Sequence, residues 1–207
     1  MSASSQNNEL NKKDVETLRR AAEELHNQDK EYRRFMNWDF FLYLLTVLLV
    51  AFSIRAFVAE PIVVDGESMY PTLLDHEYML VEKLSYYVER PERGDIIVCY
   101  YPGFTVSCVK RVIGLPGDEI YVWDGEVYVN GEPLNESAYW DDYVRGNMAP
   151  QVVPENTVFV MGDNRNVSGD SRDPSVGPIP YEKVVGRTVA VLWPLDEMRA
   201  VRHVRYE

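Results

Sequence analysis

Residues 119–131, EIYVWDGEVYVNG, decide the fold class. Two runs of β-branched and aromatic residues, EIYVW at 119–123 and VYV at 127–129, are each followed by a turn dipeptide, Asp124-Gly125 and Asn130-Gly131. Such dipeptides suit type I′ turns, whose two central residues both take positive φ. The segment therefore reads as an antiparallel hairpin. Working outward, runs of the same kind recur on both sides: IVV at 62–64, YMLV at 78–81, IIVCY at 96–100, VKRVI at 109–113, TVFVM at 157–161 and RTVAVLW at 187–193. Nothing from 60 to 207 reads as a long helix. Residues 132–156 are polar and irregular, so an insertion is expected around 124–156. Residues 60–207 are accordingly expected to form an all-β domain of curved antiparallel sheet.

Composition narrows the function. The 207 residues can hold one packed domain plus extras, or two small ones, and 46% are hydrophobic and 12% aromatic. The net charge of -12 opposes nucleic-acid binding, which needs clustered Lys and Arg, but not peptide binding. Two cysteines, Cys99 and Cys108, are too few for a disulfide framework or a four-ligand zinc set. With three unpaired histidines (His26, His76, His203), neither a metal nor another cofactor is expected.

Composition changes abruptly near residue 38. Residues 1–37 are polar and read as a solvated helix or loose arm. Residues 40–54, FFLYLLTVLLVAFSI, carry no charge. A bilayer needs roughly 20 apolar residues. Trp38 at one interface and Arg55 snorkelling at the other extend the span to 38–59. A buried core helix or a cleaved signal peptide fits less well, since a signal peptide begins nearer the N-terminus. Lys30, Arg33 and Arg34 precede the span and Arg55 ends it, which places the N-terminus in the cytoplasm and residues 60–207 outside.

Three segments carry candidate chemistry. Ser68 follows Gly66 and precedes Pro71, so it sits in a turn where backbone N–H groups can face an oxyanion. Alone, such a serine is more often a turn hydroxyl. No histidine sits in a motif that would give it a base. Lys110 lies in the apolar run VKRVI, with Arg111 on the opposite strand face, so at least one cation points inward. A surface lysine is the plainer reading; a buried one loses its proton more easily and becomes a usable general base. Residues 162–172, GDNRNVSGDSR, pack acids, amides and hydroxyls together. Asp163, Asn164, Asp170 and Asp173 could suggest a calcium loop, but the spacing is not that of an EF-hand and two arginines oppose a cation. The sequons at Asn135 and Asn166 are discounted.

Four motifs occur in order: SMYPTL from Ser68, RGDIIV from Arg93, KRVIGLPGD from Lys110 and GDNRNVSGDSR from Gly162. With the preceding apolar span they cover residues 40–195, and they resemble the bacterial type I signal peptidases, in the Gram-positive-like branch. The resemblance implies a membrane-bound serine endopeptidase that removes signal peptides from secreted preproteins with a preference for Ala-x-Ala-like sites. It implies Ser68 as nucleophile, Lys110 as general base, Ser168 orienting the amine, Asp170 and Arg172 as a supporting ion pair and Asp163 as a scaffolding acid. Some members carry an oxyanion-donating serine where this chain has Gly66, which leaves the Ser68 backbone N–H. Substrate is expected to lie extended between residues 61–65 and 105–109, in a groove lined by Ile62, Val64, Cys108 and Val109. The apolar face of the domain is expected to meet the lipid bilayer of the plasma membrane near the secretion translocon. A related Ser/Lys peptidase, such as a self-cleaving repressor or a conjugation-type processing peptidase, is the nearest rival and a catalytically dead binding module the rival from another class. The membrane span and the acidic charge oppose a self-cleaving repressor; the presence of Ser68 and Lys110 opposes the binding module.

The cysteines stand outside these motifs. With Gly103-Phe104 as a type II′ turn, counting outward pairs Cys99 with Cys108 at a non-hydrogen-bonded site, where a disulfide can form.

Overall fold

The computed structural model describes residues 3–204 and 206. The chain divides into two compact units between Phe52 and Ser53. The first is a single helix, α1 (Ala3–Ser53), which joins the polar arm and the apolar segment without a break. Its hydrophobic stretch reaches a mean hydropathy of 2.3 and none of that stretch is buried. Thr46, a polar group in this stretch, donates its hydroxyl to the Leu42 carbonyl (2.8 Å) and so carries no free donor into an apolar surrounding. A π-helical turn, Ile54–Val58, follows. Ala59 is already extended, so helical structure stops short of the expected residue 59. Pro61 holds Glu60, the residue before it, out of the helical region, so the helix has to end ahead of it.

The second unit is β-structure throughout, as expected, in two antiparallel sheets. The strands of the first half are β1 (Ala59–Val63), β2 (Tyr78–Glu82), β3 (Ile96–Tyr100), β4 (Ser107–Gly114), β5 (Glu119–Trp123) and β6 (Glu126–Val129). Then come β7 (Glu132–Pro133), β8 (Met148–Val152), β9 (Thr157–Met161), β10 (Ile179–Pro180), β11 (Val184–Trp193) and β12 (Arg199–Ala200). The larger sheet runs β1-β2-β11-β3-β4-β9-β10, with β12 on β11; the smaller runs β7-β6-β5-β8.

The opening hairpin is as read. Trp123 pairs with Glu126, and Asp124 (φ 48°), Gly125 (83°), Asn130 (55°) and Gly131 (85°) all have positive φ. The segment expected to be an irregular insertion supplies β8, the edge strand of the smaller sheet, whose register with β5 runs from Val152 opposite Glu119 to Met148 opposite Val122. Pro150 argues against a central strand but is tolerated at an edge.

Three apolar clusters hold the unit. Val109 packs against the first, Ile113 lies in the second, and Val112 and Cys108 belong to the third. β4 is thus covered on both faces. That is why both Lys110 (4% exposed) and Arg111 (1%) are buried, where alternation required only one of them inside. β9 pairs with β4 only from Arg111 onward, and β1 is a sheet edge, so Ser107–Lys110 and β1 each present an unpaired edge.

Candidate active site

The turn carrying Ser68 follows β1. Val64 donates its N–H to the Glu77 carbonyl (2.8 Å) and accepts from His76 (2.9 Å), which fixes the phase of the strand. Ile62 and Val64 therefore turn their backbone groups to β2, and Val63 and Asp65 turn theirs to the open edge. Met69 and Leu73 are buried in the first core and anchor the turn. Ser68 is left half-exposed above them, and its N–H has no acceptor among the described residues. Gly66, at φ +90°, donates its own N–H to Asp75 Oδ1 (2.8 Å).

Lys110 reaches the same point from β4. Its Nζ lies 2.8 Å from Ser68 Oγ and 2.8 Å from the Val109 carbonyl oxygen. Burial lowers its pKa below the ordinary lysine value; Cys108, Asp170, Cys99 and Asp163 pull in the opposite direction without reversing it.

The loop after β9 clamps both. Asn164 donates its backbone N–H to the Ser68 carbonyl (3.0 Å) and its side-chain amide to the Glu67 carbonyl (3.1 Å). Asp163, fully buried, accepts two bonds from Arg111 (2.7 and 2.6 Å) and one from the Thr72 hydroxyl (2.5 Å). One carboxylate thus ties the turn carrying Ser68 to the strand carrying Lys110. Asp170 accepts from Arg172 Nε (2.8 Å) and Nη2 (2.9 Å) and from the Gly162 N–H (2.9 Å). Burial would raise its pKa, but Arg172 above all, then the Gly162 N–H, holds it below the usual carboxylate range.

The family model described as signal peptidase, peptidase S26, matches residues 37–193. A signal peptidase I of Leptolyngbya laminosa is 40% identical over 161 residues, covering 73% of this chain and 77% of the relative. Signal peptidase I S of Bacillus subtilis strain 168 is 38% identical over 166 residues, covering 75% and 89%. This chain belongs to the signal peptidase family, peptidase S26. A solved signal peptidase I of Enterococcus faecalis V583 is 32% identical, covers 48% of this chain and 97% of that one, and superposes with a TM-score of 0.40. As a signal peptidase I the chain is a serine peptidase that acts on signal peptides, and its N-terminal apolar helix fits the membrane anchoring of the family.

Measured against the sequence reading, Ser68, Lys110, Asp163, Asp170 and Arg172 all converge on one site. Ser168 is beside it: a Cβ on Gly162 would meet both Ser168 Oγ (2.3 Å) and the Ser68 carbonyl (2.4 Å). Its hydroxyl, however, donates weakly to the Gly169 carbonyl (3.5 Å) and makes no bond to Lys110 among the described residues. The Gly66 N–H is committed to Asp75 and is not free for an oxyanion. Of the groove residues, Ile62 and Val109 are half-buried against the first core. Val64 is buried within that core, so its side chain is no groove lining. Cys108 belongs to the other face of β4. The open edge begins at Ser107, not at residue 105.

Cys99 and Cys108 are opposite each other, and both are free thiols. The turn nearby is centred on Pro102-Gly103, with Phe104 donating to the Tyr101 carbonyl (3.0 Å) and Gly103 at φ 81°, a type II arrangement. Val112 donates to Asp95 and accepts from Gly94 (both 2.8 Å). Alternation along β4 then puts the cysteine pair at a hydrogen-bonded site, the wider of the two kinds, where side chains stand further apart. Burial pushes the Cys99 thiol up to about 12.

Sequence reasoning did not assign Thr72, Asn164, Arg111 or Asp75. The first three lie inside the quoted motifs; Asp75 does not, and its role follows only from where the turn closes.

Proposed function

We propose that this signal peptidase cuts by a Ser68/Lys110 dyad. The 2.8 Å approach of the buried Lys110 amine to Ser68 Oγ carries the reading. The neutral amine takes the Ser68 proton as Oγ attacks the scissile carbonyl. The resulting oxyanion accepts a hydrogen bond from the Ser68 N–H. The ammonium then protonates the departing amine of the mature protein. Water, deprotonated by the same lysine, hydrolyses the ester and frees the signal peptide with Ser68 regenerated. Asp163, Asp170 and Arg172 hold the geometry, and the half-exposed Ser168 hydroxyl borders it.

The substrate lies extended, adding a strand between the open edges of β1 and β4. Val63 and Asp65 on one side and Ser107 and Val109 on the other offer their backbone groups to it. Ile62 and Val109 floor the groove, which leaves room for small side chains and supports an Ala-x-Ala-like preference. The basic residues Lys30, Arg33 and Arg34 before the apolar stretch support a cytoplasmic N-terminus and a catalytic domain on the outer face of the plasma membrane, beside the translocon from which preproteins emerge.

Lys110→Arg tests the dyad, because guanidinium does not give up its proton. It should fold, with preprotein cleavage lost. Robust turnover by the purified variant would sink the reading.

A further inference from the structure

Tyr101 directly follows β3 (Ile96–Tyr100) and lies sixty-eight residues before Gly169, its partner in the 168–170 segment. Its ring is buried (8% exposed) in the third apolar cluster, edge-on to Phe104 at 6.3 Å. Its hydroxyl donates to the Gly169 carbonyl at 2.7 Å. Gly169 separates Ser168, which lies over Gly162 beside the Ser68 carbonyl, from Asp170, the buried acid that accepts from Gly162 and Arg172. The loop start is tied to β4 by Asp163 and Arg111, and its end closes on itself through Asp170 and Arg172. Between these, the Tyr101 hydroxyl is the side-chain bond that ties Gly169 to the β3–β4 hairpin among the described residues.

We infer that Tyr101 is a positioning residue of the peptidase, holding the Ser168–Asp170 segment against Lys110 through the Gly169 carbonyl. The inference rests on Lys110 as the base. Gly169 itself is exposed, so water can satisfy its carbonyl when the tyrosine hydroxyl is removed. The bond therefore contributes little to the fold and more to the placement of the loop. The charged and titratable groups facing Lys110 are Asp170 and Asp163 from the loop, Cys108 from its own strand and Cys99 from β3. Desolvation is the largest influence on the amine, so a loosened loop admits water and moves the lysine back toward its ordinary value.

The test is Tyr101→Phe in the full-length enzyme in detergent micelles, which keeps the ring and deletes the hydroxyl. The expected result is a kcat lower by about tenfold with KM unchanged, as for a supporting group whose loss lets a reacting group drift. The acid limb of the kcat/KM profile should move to higher pH. Amide exchange in residues 168–170 should quicken. An unmoved acid limb overturns the inference whatever the thermal melt does, as does unchanged exchange in that segment. Neither outcome touches the dyad, which Lys110→Arg decides separately.

Discussion

Burying the Lys110 amine penalises its ammonium form, and that desolvation outweighs the pull of Cys108, Asp170, Cys99 and Asp163. The unfolded chain holds this proton up to about pH 10.4. Between the lowered folded value and that pH the unfolded state binds more protons than the folded one, so stability through this group rises with pH across the window. On the proposed dyad, the lysine is a residue kept for chemistry at some cost to the fold. Lys110→Met should be inactive yet at least as stable as the wild type at neutral pH, by up to roughly 1 kcal/mol, with the difference shrinking toward pH 10. Chemical denaturation across pH 6–10 measures this. A Met variant clearly less stable than the wild type at neutral pH would mean that the amine is held by its partners and not penalised by burial. The sequence already marked Lys110 as a cation in an apolar strand. It could not show that Arg111 is buried too, because that depends on β4 having a packed cluster on either face.

Among the elements, the loop after β9 does the assembling. Gly162 has no room for a side chain: a Cβ would stand 2.3 Å from Ser168 Oγ and 2.4 Å from the Ser68 carbonyl, and the latter is backbone. Gly162→Ala should push the turn carrying Ser68 away from Lys110 and, on the proposed dyad, lower kcat by about a hundredfold, the scale of an ångström-sized misplacement. Steady-state kinetics on a synthetic preprotein decides it; near-wild-type kcat would show that the loop and turn can separate freely. The hairpin of β5 and β6 was legible because its turns are specified by local dihedrals, at Asp124-Gly125 and Asn130-Gly131. The turn before β4 was misread because Gly103 suits either of two turn types, and Pro102, which fixes φ at the preceding position, selects the type II form. That change of phase moves the cysteine pair from the narrow to the wide kind of site. β8 escaped notice because Pro150 and a mixed composition hide an edge strand whose partners lie elsewhere. The bonds from Thr72 to Asp163 and from Asn164 to Glu67 span 91 and 97 residues, and no local spacing encodes them.

At the scale of the molecule, the chain divides labour between its two units. All three apolar clusters, both sheets and every side chain placed at the site lie in the unit that begins at Ser53. Among the described residues, the helical unit contributes none of them. Its large apolar side chains, such as Phe40, Tyr43 and Phe52, are exposed, a surface suited to lipid. On the proposed membrane anchoring, α1 raises the encounter rate with membrane-inserted substrates and does not shape the catalytic groups. Confinement to one surface raises effective concentration, and linked systems of this kind gain roughly 10²–10⁴ without a new contact. A chain comprising residues 53–207 should therefore fold, cleave a short soluble peptide at a rate near that of the full-length enzyme in detergent, and fall about a hundredfold or more behind it on preproteins reconstituted in vesicles. The comparison needs both substrates. Loss of activity on the soluble peptide as well would mean that α1 supports the catalytic domain directly, and equal rates on vesicle-bound preprotein would mean that anchoring contributes nothing to capture.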